Sequence, residues 1–115
     1  MESDLLQQTC KACNKDTPRL SEAQQQALAR QVPEWSVADG RLRRRFVFRG
    51  FTASIRFVDE LAQIAEREGH HPVFTVDIDK VDVVLWTHAI GALSGNDFIL
   101  AAKLDRAAGE LGVRQ

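Results

Sequence analysis

Apolar residues recur at every third or fourth position in three stretches of the chain, and this spacing predicts three amphipathic helices, over residues 21–32, 52–68 and 94–108. Ser21 with Gln24, and Ser94 with Asp97, have the spacing of capping boxes, which satisfy the free N–H groups at a helix start. Gly69 suits the left-handed conformation that ends a helix. The second helix is predicted to have Thr52 as its N-cap and a core-facing stripe of Ile55, Val58, Leu61, Ala62 and Ala65.

Between these helices, alternation of apolar and polar residues predicts strands. The predicted strands form two hairpins, 35–37 with 42–48 and 73–78 with 81–88. Asp39-Gly40 and Asp79-Lys80 are the predicted turns, since Asp-Gly accepts the positive φ angles of a tight hairpin. The order α-β-β-α-β-β-α predicts an α+β two-layer sandwich, with helices on one face of an antiparallel four-stranded sheet. Residues 1–18 have no sustained period and are predicted to be a flexible N-terminal arm preceding a single domain, 19–115.

The length, net charge and cysteine content of the chain disfavour several classes of protein. A chain of 115 residues fits one domain and excludes a two-domain enzyme. The formal net charge of −1 disfavours nucleic-acid binding driven by phosphate contacts. With no long apolar run and a polar N-terminus, the expectation is a soluble cytoplasmic protein without membrane contact. The only cysteines, Cys10 and Cys13, are interpreted as a reduced, incidental pair rather than a disulfide scaffold.

All three histidines lie in two short segments, His70-His71 after the second helix and His88 at the end of the last predicted strand. Antiparallel pairing returns the chain beside its starting point, so the three imidazoles are predicted to converge. Histidine gives and takes protons near neutral pH, and converging imidazoles indicate general acid-base catalysis. Two alternatives stay open here: histidines that only satisfy structural hydrogen bonds, and a three-histidine zinc site.

Four segments together resemble the pterin-4a-carbinolamine dehydratases. The segments are Glu66–Pro72, with the sequence ERE-GHHP, then Val81–His88, then Gly91–Leu93, and finally Asp97. The resemblance extends over approximately residues 21–108, and it is specific because both histidine segments, their spacing and the helix order agree. One departure is Ile78, where the family often has an aromatic residue.

The resemblance implies an enzyme that removes water from 4a-hydroxytetrahydrobiopterin and forms quinonoid dihydrobiopterin. It implies no metal and no organic cofactor, since the pterin is the substrate. The expected partners are the reduced pterin, a second copy of the chain in a homodimer or homotetramer, and functionally an aromatic amino-acid hydroxylase. An alternative is a dimerisation or assembly module that binds a protein partner without catalysis, with the helix Leu93–Leu104 contributing to the contact.

The resemblance also assigns residues. His70 and His88 are the implied acid-base groups, and His71 mainly holds the pterin. The implied substrate-binding positions are Gly69, His70, His71, Trp86, Thr87 and His88, and the implied supporting positions are Glu66, Pro72 and Asp97, the last orienting a histidine or completing the pocket wall.

Overall fold

The computed structural model describes residues 4–115 and confirms the predicted α+β fold. The helices are α1 (Glu22–Ala29), α2 (Phe51–Glu68) and α3 (Gly95–Glu110), and the strands are β1 (Ser36–Ala38), β2 (Arg41–Val47), β3 (Val73–Asp77) and β4 (Lys80–Leu85). The sheet is antiparallel with the order β1-β2-β4-β3, which makes β3 an edge strand. Alternate residues of β4 are fully buried, so this face of the sheet forms the core.

The two hairpin turns differ in how well the sequence predicts them. Asp39 and Gly40 have φ values of 54° and 70°, so the first turn is as predicted. The second turn lies at residues 78–79, one position earlier than the predicted Asp79-Lys80, and Ile78 takes the left-handed conformation with φ 53°. Strand β4 also ends before the predicted boundary, because Thr87 leaves the ladder and pairs with Ala92.

Aromatic rings from the sheet and α2 fill the centre of the core. Phe46 packs against Phe57 of α2 with ring centroids 4.6 Å apart, and Phe48 and Trp35 contact the same cluster. At the other side, Asp105 of α3 accepts hydrogen bonds from Trp35 Nε1 at 2.8 Å and Arg44 Nη1 at 2.6 Å. Burial raises the pKa of Asp105, and these two donors oppose that effect. These contacts fix α3 against the sheet.

The helix boundaries and the buried face of α2 correct the sequence predictions. Helix α1 has the predicted capping box but ends at Ala29, before the predicted residue 32. Helix α2 begins after Gly50, so Thr52 is not its N-cap. The buried side chains of α2 are Ser54, Phe57, Leu61, Ile64 and Ala65. The predicted stripe was wrong at Ile55, which is 37% exposed, and at Ala62, which is also exposed, because the large Phe57 and Ile64 side chains set the rotation of the helix.

The N-terminal segment contacts the domain at Leu5 and at Cys10–Lys11. Leu5, in a 3-10 turn over Leu5–Gln7, is 2% exposed and belongs to the core cluster, and its N–H donates to Gln31 Oε1. The flexibility predicted for the arm stays a prediction, and residues 1–3 of it lie outside the described residues. No helix within residues 4–115 is long and apolar enough to cross a membrane.

Candidate active site

The end of α2 places the first histidine. Gly69 has φ 67° and ψ 30°, the left-handed conformation predicted for it, and its N–H donates to Ala65 O. The next N–H, that of His70, donates to the same carbonyl at 3.2 Å. The chain therefore turns sharply at Gly69, and the His70 side chain is buried, with 6% of the residue exposed.

A buried aspartate holds the His70 ring. Asp97, in the first turn of α3, is fully buried, and its Oδ1 lies 2.6 Å from His70 Nε2. Its Oδ2 accepts from the Thr87 hydroxyl at 2.8 Å and from the Ser94 N–H at 3.0 Å. Thr87 Oγ1 is also 2.7 Å from Ser94 Oγ. The carboxyl group predicted to cap α3 thus also connects the end of α2 with the loop after β4.

This network determines which nitrogen of His70 is available. A carboxylate only accepts hydrogen bonds, so we assign the ring proton of His70 to Nε2. Nδ1 makes no hydrogen bond to residues 4–115, and every fully buried side-chain nitrogen or oxygen among them has a partner. Nδ1 is therefore the atom through which the ring reaches solvent.

The other two histidines are exposed. His71 Nε2 lies 2.7 Å from Glu66 Oε2, and the His71 side chain is 60% exposed. His88 stacks on Trp86 with ring centroids 4.2 Å apart, and the Arg41 guanidinium also lies 4.2 Å from the Trp86 ring. Trp86 and His88 alternate with the buried Thr87, so their side chains leave the chain on the opposite side from the Asp97 network.

The structure thus brings together part of the predicted site. Register pairs Val73 with Val84, which sets the histidine segment beside the end of β4. His70 and Thr87 meet at Asp97, but within residues 4–115 no hydrogen bond joins any two of the three imidazoles. The convergence of all three around one ligand stays a prediction, as do the catalytic and substrate-binding roles. Pro72 immediately precedes β3.

Two residues at the site were missed by sequence reasoning. Ser94 was predicted only as a helix cap, yet its hydroxyl also contacts Thr87. Arg41 was not connected with the site, because its contact with Trp86 crosses from β2 to the end of β4. The alternation of apolar and polar residues over the predicted strand 81–88 was the available signal for the two sides of the site, since it predicts that Thr87 and Trp86 lie on opposite faces of the sheet.

A largely buried ion pair lies at the end of α2, two residues before His70. Glu68, the last residue of α2, forms an ion pair with Lys103 Nζ at 3.0 Å, and their side chains are 5% and 14% exposed. Burial disfavours the Glu68 carboxylate, but hydrogen bonds from the Cys10 N–H and Lys103 outweigh this effect and lower its pKa. Burial, together with the nearby Glu68 charge, raises the pKa of the Cys10 thiol to about 12, so this thiol is protonated and a poor nucleophile.

No group of three or more histidine, cysteine, aspartate or glutamate side chains is arranged for metal binding in the part of the chain that the structure describes. The absence of a metal or cofactor stays a prediction. The fold and the site together define a small α+β protein in which a histidine–aspartate pair lies at a helix end.

The sequence profile of the family "Pterin 4 alpha carbinolamine dehydratase" matches residues 18–107. The chain therefore belongs to this family. A protein of Marinobacter nauticus, provisionally named pterin-4-alpha-carbinolamine dehydratase, is 45% identical over 107 residues, covering 90% of this chain and 96% of that protein. A relative of Saccharophagus degradans with the same provisional name is 38% identical over 108 residues, covering 90% of this chain and 96% of that protein.

Solved structures similar to this chain include one described as a pterin dehydratase and one described as pterin dehydratase-like. One is described as a transcriptional coactivator/pterin dehydratase from Brucella melitensis, with TM-score 0.77 and 30% identity, covering 80% of this chain and all of that one. The other is described as a pterin dehydratase-like protein identified as a RuBisCO assembly factor in the alpha-carboxysome. It has TM-score 0.56 and 26% identity, and the match covers 65% of this chain and 87% of that one.

Proposed function

We propose that this protein dehydrates 4a-hydroxytetrahydrobiopterin to quinonoid dihydrobiopterin and so returns an oxidised pterin for recycling. The observation that carries the proposal is the His70–Asp97 pair, in which a buried carboxylate holds one ring nitrogen at 2.6 Å and leaves Nδ1 open. Membership of the pterin carbinolamine dehydratase family supports the substrate class. The protein is proposed to act in the cytoplasm, without a metal or an organic cofactor.

The reaction requires two proton transfers. An acid protonates the hydroxyl group on C4a, and the C4a–O bond breaks with release of water. A base removes the proton from N5, and the electron pair of that N–H bond forms the C4a–N5 double bond. No net proton is consumed, because one group gives a proton and another takes one, and positioned acid-base groups accelerate such steps by about 10²–10⁴-fold.

The proposed roles follow the two environments of the histidines. His70, with Nε2 held by Asp97, exchanges a proton through Nδ1, and Asp97 stabilises the ring when it becomes charged. His88 is the second acid-base group, on the exposed side with Trp86. His71, oriented by Glu66, mainly binds the pterin. Gly69, Trp86 and Thr87 complete the proposed pocket, where Thr87 acts through Asp97 because it is fully buried.

Stopped-flow absorbance of 4a-hydroxytetrahydrobiopterin decay tests the proposal, with the spontaneous decay as baseline. Wild-type protein is expected to accelerate the decay. His70→Ala and His88→Ala are expected to lower kcat by about 10²-fold or more with little change in KM, whereas His71→Ala mainly raises KM. An equal loss of kcat in all three variants would contradict this division of roles.

A second candidate function is a binding or assembly module. The similarity to a structure described as a RuBisCO assembly factor favours it, as do three exposed apolar side chains on and next to the edge strand β3: Val73 at 46%, Phe74 at 38% and Ile78 at 66%. Helix α3 is not the proposed contact, because Leu93 and Leu104 are buried in the core. If pterin decay is no faster than the spontaneous reaction and a partner binds stoichiometrically, the binding function replaces catalysis.

Light scattering tests the predicted homodimer or homotetramer.

A further inference from the structure

The segment Cys10–Cys13 contacts the two helix ends that carry the His70–Asp97 pair. The Cys10 N–H donates to Glu68 Oε1 at 2.9 Å, at the end of α2. The Lys11 N–H donates to Asn96 Oδ1 at 3.0 Å, and Asn96 Nδ2 donates to Lys11 O at 2.7 Å, at the start of α3. Asn96 Nδ2 also lies 2.9 Å from Cys13 Sγ, which accepts from it.

Both contacted side chains are sequence neighbours of the pair. Glu68 precedes His70 by two residues, with the left-handed Gly69 between them, and Asn96 immediately precedes Asp97. Asn96 is 7% exposed, and its amide pairs with both the N–H and the C=O of Lys11, as a neighbouring strand would. A side chain bonded in both directions has its orientation fixed, and the backbone of Asp97 follows it.

We propose that Asn96, held by the Cys10–Cys13 segment, is a positioning residue that fixes the distance between Asp97 and His70. This inference rests on the proposed function for its kinetic consequence. It gives the two cysteines a structural place: Cys13 accepts from Asn96, and the protonated Cys10 thiol lies 3.6 Å from Asn96 O. Displacement of a catalytic group by about 1 Å lowers rates by up to ~10²-fold, so a loosened Asn96 acts on turnover.

The kinetic test compares Asn96→Ala with the matched control Gln31→Ala. Gln31 also fixes the N-terminal segment by a side-chain amide, accepting from the Leu5 N–H at 3.3 Å, but it lies two residues after the end of α1. Asn96→Ala is expected to lower kcat by about tenfold with KM within twofold, because the displaced pair no longer aligns with the reacting atoms. Gln31→Ala is expected to keep kcat, with a comparable fall in Tm.

A spectroscopic readout is independent of activity. Proton–nitrogen correlation spectra of the histidine rings report the tautomer and hydrogen bond of His70, assigned by its loss in His70→Gln. In Asn96→Ala the His70 ring signals are expected to shift, while in Gln31→Ala they stay as in wild type. Should Asn96→Ala not fold, Cys13→Ala removes the sulfur that accepts from Asn96, together with its weak 3.6 Å hydrogen bond to Lys11 O, and is expected to show the same changes at smaller size.

Unchanged His70 ring signals in Asn96→Ala, or a kcat equal to that of Gln31→Ala, would overturn the proposal. The Cys10–Cys13 segment would then pack against the helix ends without positioning Asp97 and His70. Failure of the proposed function is distinguishable: wild-type protein would not accelerate pterin decay, yet the ring signals would still decide whether Asn96 positions His70.

Discussion

The two sides of the site are built differently. On the core side, His70 is 6% exposed, and the Asp97 carboxylate accepts hydrogen bonds from His70, Thr87 and Ser94. On the open side, the His71 side chain is 60% exposed with one carboxylate contact, and His88 is exposed and stacked on Trp86. The fold itself therefore fixes His70, whereas His71 and His88 are each oriented by a single contact.

The largest expected effect is the loss of stability in Asp97→Ala. Removing the carboxylate leaves the His70 ring, the Thr87 hydroxyl and the Ser94 N–H without their buried acceptor. The free energy of unfolding, measured by urea denaturation, should fall by ~3–5 kcal/mol, as when one partner of a buried pair is removed.

His88→Ala is the matched comparison for this prediction. It removes an exposed ring whose stacking contributes little, so the free energy of unfolding should change by less than about 1 kcal/mol. If both variants lose the same stability, the contrast between a buried, hydrogen-bonded side and an exposed side of the site is wrong.

A smaller effect is expected at Gly69, which connects the two sides. Gly69→Ala should lower the free energy of unfolding by about 1–2 kcal/mol, because alanine disfavours the left-handed conformation. The added Cβ meets no atom within 4 Å, so the loss is purely conformational. Gly109→Ala, near the end of α3 and equally open, has no positive φ and should stabilise by about 0.5–1 kcal/mol. Thermal unfolding measures the stability change of both variants. A Gly69→Ala variant as stable as wild type would contradict the requirement for glycine at the end of α2.

Sequence patterns predicted the core side better than its connections. The capping box placed Asp97 in the first turn of α3, and the alternation over Val81–His88 puts Thr87 on the same face as the buried Val81, Val83 and Leu85, because both signals are local in sequence. The contacts of Asn96 with Lys11 and of Glu68 with Cys10 span 85 and 58 residues, and no period or spacing encodes them.

Two errors have the same cause. Ile78 adopts a left-handed turn that its side chain disfavours, and the rotation of α2 follows the packing of Phe57. In both places tertiary packing overrides the local conformational preference of the residues. A prediction from sequence patterns alone therefore cannot identify the observed conformation.

The smallest expected effect concerns pH and salt, and it compares the buried Glu68–Lys103 pair with the exposed Arg45–Asp82 pair. The folded-state pKa of Glu68 is lowered below the ordinary 4.5, so its contribution to stability is present above that value and is lost as pH falls through the lower folded value. The difference in the free energy of unfolding between wild type and Glu68→Gln should therefore be constant from about pH 7 to 5.5 and shrink toward pH 3.

The Arg45 hydrogen bond also lowers the pKa of Asp82, but these side chains are 58% and 40% exposed. At about 1 M salt the Debye length is only ~3 Å. The pH-dependent difference in the free energy of unfolding between wild type and Asp82→Asn should then largely disappear, whereas the difference between wild type and Glu68→Gln should persist. Urea denaturation at low and high salt over this pH range measures both differences. Equal salt sensitivity of the two pairs would show that water and salt screen the Glu68–Lys103 pair as strongly as the exposed Arg45–Asp82 pair, which would contradict its burial.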